Sequence, residues 1–117
     1  MIEYFQPKSV PESDAPFSQV VMDDRYVHLA GLVAADFPDG QSVLGNVGAE
    51  TDAILNVVAD ILAELGLSLG DIVRVDVHLS NLEDFDDMDA AYRTHFAQSR
   101  YPARTTTESP GSLVEAW

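Results

Sequence analysis

The sequence predicts an α+β domain, a mixed β-sheet with two helices packed on one of its faces. Apolar residues recur with the helical period between residues 47 and 65, and they alternate with polar residues between residues 72 and 79. Along the chain the periodic segments follow the order β–β–β–α–β–α–β–β. Because a helix that joins two parallel strands makes a right-handed crossover, both helices are expected on the same face of the sheet.

Three β-rich segments are predicted at the start of the chain. The first is an edge strand at residues 3–5, and the other two span residues 18–22 and 25–31. The two aspartates between the latter strands predict a hairpin turn. Residues 34–46 contain Pro, Gly and Asp and predict an exposed loop.

Two amphipathic helices are predicted. The first covers residues 47–65, and Gly66 is suited to follow its end because glycine readily adopts a positive φ. Its apolar stripe consists of Ile54, Leu55, Val58, Ile61, Leu62 and Leu65. The second helix follows a turn at residues 81–84, with Asp84 as its N-cap. Its apolar stripe consists of Phe85, Met88, Tyr92 and Phe96.

One face of the predicted sheet has no helix to cover it. In the strand at residues 72–79, the residues Val73, Val75, Val77 and Leu79 share the opposite, helix-covered face. The uncovered face carries Tyr26, His28, Arg74, Asp76 and His78. This set is too mixed for a core, and its strands are too apolar for a solvated surface, so it predicts self-association. A last strand is expected at residues 113–117, after a turn at residues 109–111.

The segment at residues 101–108 predicts a strand with unusual chemistry. Arg104, Thr106 and Glu108 lie on one face of it, because side chains alternate along a strand. The chain has only six Lys and Arg residues, and a guanidinium is suited to bidentate capture of a carboxylate. The alternative is that Arg104 only pairs with one of the 20 Asp and Glu residues.

The composition excludes or disfavours several classes of site. The 117 residues contain no cysteine, which removes disulfides, thiolate nucleophiles and cysteine-ligated metals. A net charge of −14 with a single lysine disfavours a nucleic acid or a membrane as partner. His28, His78 and His95 lack metal-ligand spacing, so no metal site is predicted, and His95 is placed on a helix surface. No secretory signal or bilayer-spanning run is recognisable, so a cytoplasmic location is expected.

Short motifs distributed over nearly the whole chain follow one another in a specific order. They are Ala15-Pro16-Phe17-Ser18-Gln19, Ala30-Gly31, Asn56, the connection at residues 66–73, Leu82-Glu83-Asp84-Phe85 and Tyr101-Pro102-Ala103-Arg104. In this order and spacing they resemble the Rid (YjgF-type) family of enamine/imine deaminases. The resemblance implies a single domain over residues 1–117 with a chorismate-mutase-like fold. It also implies a homotrimer with pockets between neighbouring subunits, and no cofactor.

The resemblance also implies roles for individual residues. Arg104 would hold the carboxylate of a small 2-imino or 2-enamino acid while water adds to the C=N carbon and ammonia leaves. Further substrate contacts are implied for Phe17, Ala30, Gly31 and Thr106. Catalytic roles are implied for Arg104, Thr106 and Glu115, the last in a context that resembles the family's final Val/Ile-Glu.

Three departures from the family pattern leave alternatives open, one of which is that the chain from Arg104 to Glu115 is a few residues shorter than in most relatives. Phe17 stands where the family has Tyr, and Ala30 stands where it has Ser, so two hydroxyls are missing. The chain is therefore either a deaminase or a trimeric module that binds small carboxylates without efficient chemistry. A ribonuclease activity, also attached to the family, fits poorly with a charge of −14. The acid that handles the proton is Glu115, Glu108 or none, and Glu108 lies about 13 Å along the strand from Arg104.

Overall fold

The computed structural model describes residues 1–109, which fold into two small sheets and three helices. Their bounds are β1 Glu3–Phe5, β2 Val20–Met22, β3 Val27–Leu29, α1 Pro38–Gln41, α2 Val47–Glu64, β4 Arg74–Leu79, α3 Phe85–Arg93 and β5 Ala103–Glu108. The predicted strand at residues 113–117, and most of the turn before it, lie outside the described residues. Within residues 1–109, no helix is long and apolar enough to cross a membrane.

The strands form two separate ladders within the described residues, where the sequence predicts one mixed sheet. β1, β2 and β3 make an antiparallel sheet in that order, with Val21 of β2 opposite His28 of β3. β4 and β5 pair in parallel, with Val75 opposite Arg104. Alternation along a segment shows that it is extended but does not identify its partner strand, so the division into two ladders could not be predicted.

Helix α2 connects two hydrophobic clusters. The first, which includes residues of β2, has as its buried members Val10, Val20, Phe37, Val57 and Ile61. The second, between α2, β4 and α3, has as its buried members Leu55, Leu79, Met88 and Tyr92. Because α2 is covered on two sides, its buried arc is wider than the predicted stripe. It includes Val57, which the stripe omits, while Ile54 and Val58 are only half-buried.

The segment at residues 34–46 is not the exposed loop that its composition predicts. A 3-10 turn spans Ala34–Asp36, and Pro38 begins the one-turn helix α1. Phe37 is only 2% exposed and belongs to the first cluster, and Gly40 is buried as well. The prediction was wrong because Pro, Gly and Asp mark turns without indicating whether a turn packs on the core.

Gly40→Ala is expected to lower the free energy of unfolding by about 1–3 kcal/mol. A Cβ at this position would overlap the backbone carbonyl of Ala34, and a backbone atom cannot rotate away. Denaturant unfolding measures the difference. Gly48→Ala, in the first turn of α2, is the matched control, because a Cβ there would meet its nearest neighbour at 3.6 Å. Equal stability of Gly40→Ala and the unmutated protein would contradict the packing described here.

Two helix caps were predicted, Gly66 after α2 and Asp84 before α3, and the structure adds a third, Asn46. Asn46 precedes α2 and accepts a hydrogen bond from a first-turn backbone N–H at 2.9 Å. Gly66 follows the end of α2 with a φ of 75°, as predicted. Asp84 occupies the predicted N-cap position of α3, but its side chain makes no capping hydrogen bond. In the turn before it, the Asn81 side chain accepts from the backbone N–H of Glu83 at 2.9 Å.

His95 is not on a helix surface, as the sequence predicts. Its side chain is 13% exposed, and Nε2 donates to Oδ1 of Asp52 at 2.7 Å. The pair links the segment after α3 to α2. The prediction was wrong because α3 ends at Arg93, so helical spacing no longer describes position 95.

Candidate carboxylate site

Arg104 lies on the face of β5 that is turned toward helix α3. In the parallel ladder Arg104 is opposite Val75, and Thr106 is opposite Val77. Both valines are half-buried and pack against the second hydrophobic cluster. The structure therefore confirms that Arg104 and Thr106 share a face, and it shows that this is the helix-covered face.

The guanidinium of Arg104 is held by three side chains of α3. Its Nη2 donates to Oδ1 of Asp89 at 2.7 Å. Its central carbon lies 4.7 Å from the ring centroid of Tyr92 and 5.6 Å from that of Phe85, distances at which a cation is attracted to an aromatic face. The side chain is only 20% exposed. Among residues 1–109, Asp89 is the one hydrogen-bond partner of the Arg104 guanidinium, which leaves its other N–H groups without a partner in this part of the chain.

Helical spacing brings Asp89, Tyr92 and Arg93 to one side of α3, because residues three and four positions apart are neighbours. Asp89 accepts from Arg104 through Oδ1 and from Arg93 Nη2 through Oδ2, at 3.0 Å. The hydrogen bond from Arg104 is the main cause that lowers the pKa of Asp89. The carboxylate is therefore ionised at neutral pH. Together, Asp89, Arg93 and Arg104 carry a net charge of +1.

A cleft of about 310 Å³ opens beside this network. It is lined by Asp89, Tyr92, Arg93, Tyr101, Pro102 and Arg104. The Tyr92 side chain is almost fully buried, and its hydroxyl has no hydrogen-bond partner within residues 1–109. Burial raises the pKa of this phenol, so it stays protonated at neutral pH. The wall of the cleft thus combines the Arg104 guanidinium with the aromatic side chain of Tyr92.

The other residues predicted for the site do not line this cleft. Thr106 is half-buried on the same face, two positions further along β5. Phe17, Ala30 and Gly31 belong to the region of the antiparallel sheet, next to the ends of β2 and β3. Of the predicted site residues that the structure describes, only Arg104 lines the cleft of its own chain. Glu115 lies outside the described residues.

Glu108 has a local partner. Its Oε1 accepts a hydrogen bond from the backbone N–H of Leu82 at 3.0 Å, in the turn that leads into α3. This contact gives Glu108 a structural role at the far end of β5.

Five residues of the cleft were not predicted as site residues from the sequence. They are Asp89, Tyr92, Arg93, Tyr101 and Pro102. The aromatic spacing of α3 indicates a core stripe, and its aspartates indicate a solvated face, so neither pattern predicts a site. The signal in the sequence was the spacing of Asp89, Tyr92 and Arg93 at positions i, i+3 and i+4. This spacing places an acid, an aromatic ring and a cation on one side of α3.

Comparison with known proteins now identifies the family. Residues 7–113 match the family model described as endoribonuclease L-PSP. The chain belongs to this family, which contains the Rid proteins. A RutC family protein of Pyrococcus abyssi is 33% identical over 101 residues, covering 86% of this chain and 79% of that protein. Human 2-iminobutanoate/2-iminopropanoate deaminase is 32% identical over 109 residues, covering 90% of this chain and 79% of that protein. The mouse deaminase of the same name is 34% identical over 109 residues.

Solved structures confirm the α+β fold of this Rid protein. Yeast Mmf1 superimposes with a TM-score of 0.83 at 25% identity, over 97% of this chain and 90% of that chain. RidA from an Antarctic Psychrobacter superimposes with a TM-score of 0.81 at 21% identity, over 95% and 89%. The family model and the sequence relatives confirm the family resemblance drawn from short motifs.

Proposed function

We propose that this Rid protein hydrolyses small 2-imino and 2-enamino acids to 2-keto acids and ammonia, without a cofactor. The observation that carries the proposal is the guanidinium of Arg104, fixed at the wall of a cleft and making one side-chain hydrogen bond within residues 1–109. Relatives at 32–34% identity are named 2-iminobutanoate/2-iminopropanoate deaminase, which supports the same chemistry.

Arg104 is the group that binds the substrate carboxylate. Two aromatic faces and one ion pair fix its plane, so little conformational freedom is lost when a ligand binds. A planar guanidinium matches a planar carboxylate through two parallel hydrogen bonds.

The reaction needs little from the protein besides positioning and proton transfer. The carbon of a protonated imine is already electrophilic, and the oxygen of one water forms a bond to it. The C–N bond then breaks, the carbonyl forms, and both water protons leave with the nitrogen as ammonium. Glu115 is the residue we assign to hold the attacking water, with Thr106 as its hydrogen-bonding neighbour.

The complete pocket is proposed to lie between subunits of a homotrimer. Phe17, Ala30 and Gly31 would then reach the cleft of a neighbouring chain, since they do not line the cleft of their own. Exposed residues in and beside the strands support this assembly; they are Tyr26, His28, Arg74, Asp76 and His78. The residues that alternate with them pack on the hydrophobic clusters; they are Val27, Leu29, Val75 and Val77.

Sedimentation equilibrium at micromolar concentration is expected to give the mass of a trimer. Because the chain carries 20 acidic residues, added salt should strengthen assembly by screening like charges. A monomeric mass would remove the shared pocket from the proposal, and assembly that weakens steadily with salt would contradict the charge argument.

The activity itself is tested with 2-iminopropanoate, generated from alanine by an amino acid oxidase and followed by ketoacid detection. The protein should accelerate ketoacid formation beyond spontaneous hydrolysis, and Arg104→Ala should not. The alternative is a binding module, which the loss of hydroxyls at Phe17 and Ala30 favours. That alternative predicts ketoacid binding without acceleration.

A further inference from the structure

The carboxylate of Asp89 lies inside the site proposed to bind a carboxylate. It is 2.7 Å from the guanidinium that would hold the ligand, and only 26% of its side chain is exposed. Within residues 1–109, Asp89 accepts from both Arg93 and Arg104 and lines the cleft. A ligand carboxylate that binds the remaining donors of Arg104 must therefore lie close to a second negative charge.

We propose that Asp89 determines specificity by favouring a ligand that carries a cation beside its carboxylate over a ligand that carries the carboxylate alone. The inference rests on the proposed function, because the two ligands are then the substrate and the product. A protonated 2-imino acid is a zwitterion with no net charge. The 2-keto acid that forms from it has lost the positive nitrogen and is an anion.

The charge of Asp89 interacts differently with the substrate and with the product. The Asp89 charge repels the carboxylate of both, but it attracts the iminium nitrogen of the substrate alone. The partial burial of Asp89 and Arg104 keeps the interaction from being fully screened. Asp89 should therefore weaken binding of the product more than binding of the substrate, and so favour product release.

The Asp89→Asn variant isolates this charge. An amide oxygen still accepts the hydrogen bond from Arg104, so the guanidinium keeps this contact while the negative charge is lost. The amide NH2 cannot accept from Arg93, so that exposed contact is lost with the charge. Pyruvate serves as the anionic probe, and L-alanine serves as a stable zwitterionic probe. Dissociation constants for both are measured by NMR titration of the folded protein, at low and at moderate salt.

Asp89→Asn is expected to bind pyruvate about tenfold more tightly, corresponding to about 1.4 kcal/mol, with less gain or a loss for L-alanine. The gain should shrink as salt is added. Asp86→Asn is the matched control, because it removes the same charge from an exposed position on the same helix. Its pyruvate affinity should stay close to that of the unmutated protein.

Two results overturn the inference. The first would be that Asp89→Asn does not bind pyruvate more tightly than the unmutated protein. The second would be that it changes the affinities for pyruvate and L-alanine by the same factor. Arg104→Ala separates this failure from failure of the site itself. If Arg104→Ala binds pyruvate as the unmutated protein does, both the carboxylate site and the role of Asp89 are wrong. If Arg104→Ala loses pyruvate while Asp89→Asn gains nothing, only the role of Asp89 is wrong.

Discussion

Arg104→Ala is expected to lower the affinity for a 2-keto acid, or kcat/KM for the imine, by about 30- to 4,000-fold. Removing one partner of a desolvated charge pair costs about 2–5 kcal/mol, and each 1.4 kcal/mol is a factor of ten. Arg104 is only 20% exposed and lies against two aromatic rings, so solvent screens its charge weakly. Calorimetric titration with pyruvate measures the change.

The same substitution also acts on the fold. Asp89 loses its closer cation and, among residues 1–109, keeps Arg93, whose side chain is 65% exposed. Thermal unfolding must therefore accompany the titration, which is interpreted only for folded protein. Arg104→Lys restores a charge without the planar fork and should recover part of the affinity.

Arg25→Ala is a suitable control, because it removes a guanidinium from an exposed turn. It should bind pyruvate normally. If Arg104→Ala is less stable but binds pyruvate with unchanged affinity, the pair with Asp89 is the whole role of Arg104. The deaminase proposal would then have lost the observation that carries it.

Helices and strands with a regular spacing of apolar residues could be predicted from the sequence. The strand β4 and the long helix α2 carry uninterrupted alternation or helical spacing, and both were found with small shifts at their ends. The same alternation predicted that Arg104 and Thr106 share one face of β5. The prediction of an exposed loop at residues 34–46 was wrong. Burial of Phe37 depends on contacts with α2 and the N-terminal region, and the local sequence does not indicate such contacts.

The candidate site depends on distant contacts and was only partly predictable. Arg104 was identified from its residue type in a β-branched strand. Its partner Asp89 is 15 positions earlier, on another element, and among 20 acids nothing in the sequence selects it. Tyr92 was assigned correctly to a buried stripe, but its unpartnered hydroxyl is visible only once its neighbours are placed.

Glu115→Gln is expected to lower kcat by about 100- to 10,000-fold, the usual contribution of a positioned general acid or base. Binding of a 2-keto acid should be nearly unchanged, because Arg104 carries it. Glu115 lies outside the described residues, so its assignment stands on the family resemblance. Single-turnover and steady-state rates with 2-iminopropanoate, compared with pyruvate titration, measure the two effects separately.

Glu108→Gln is the control that the structure makes informative. Glu108 already accepts the backbone N–H of Leu82 at the turn before α3, and the amide oxygen of glutamine can accept it as well. We therefore expect Glu108→Gln to retain both fold and turnover. Normal turnover in Glu115→Gln with loss in Glu108→Gln would mean that the acid is Glu108. Normal turnover in both would mean that neither carboxylate is needed for proton transfer. Catalysis would then consist of holding the iminium beside Arg104 while water attacks.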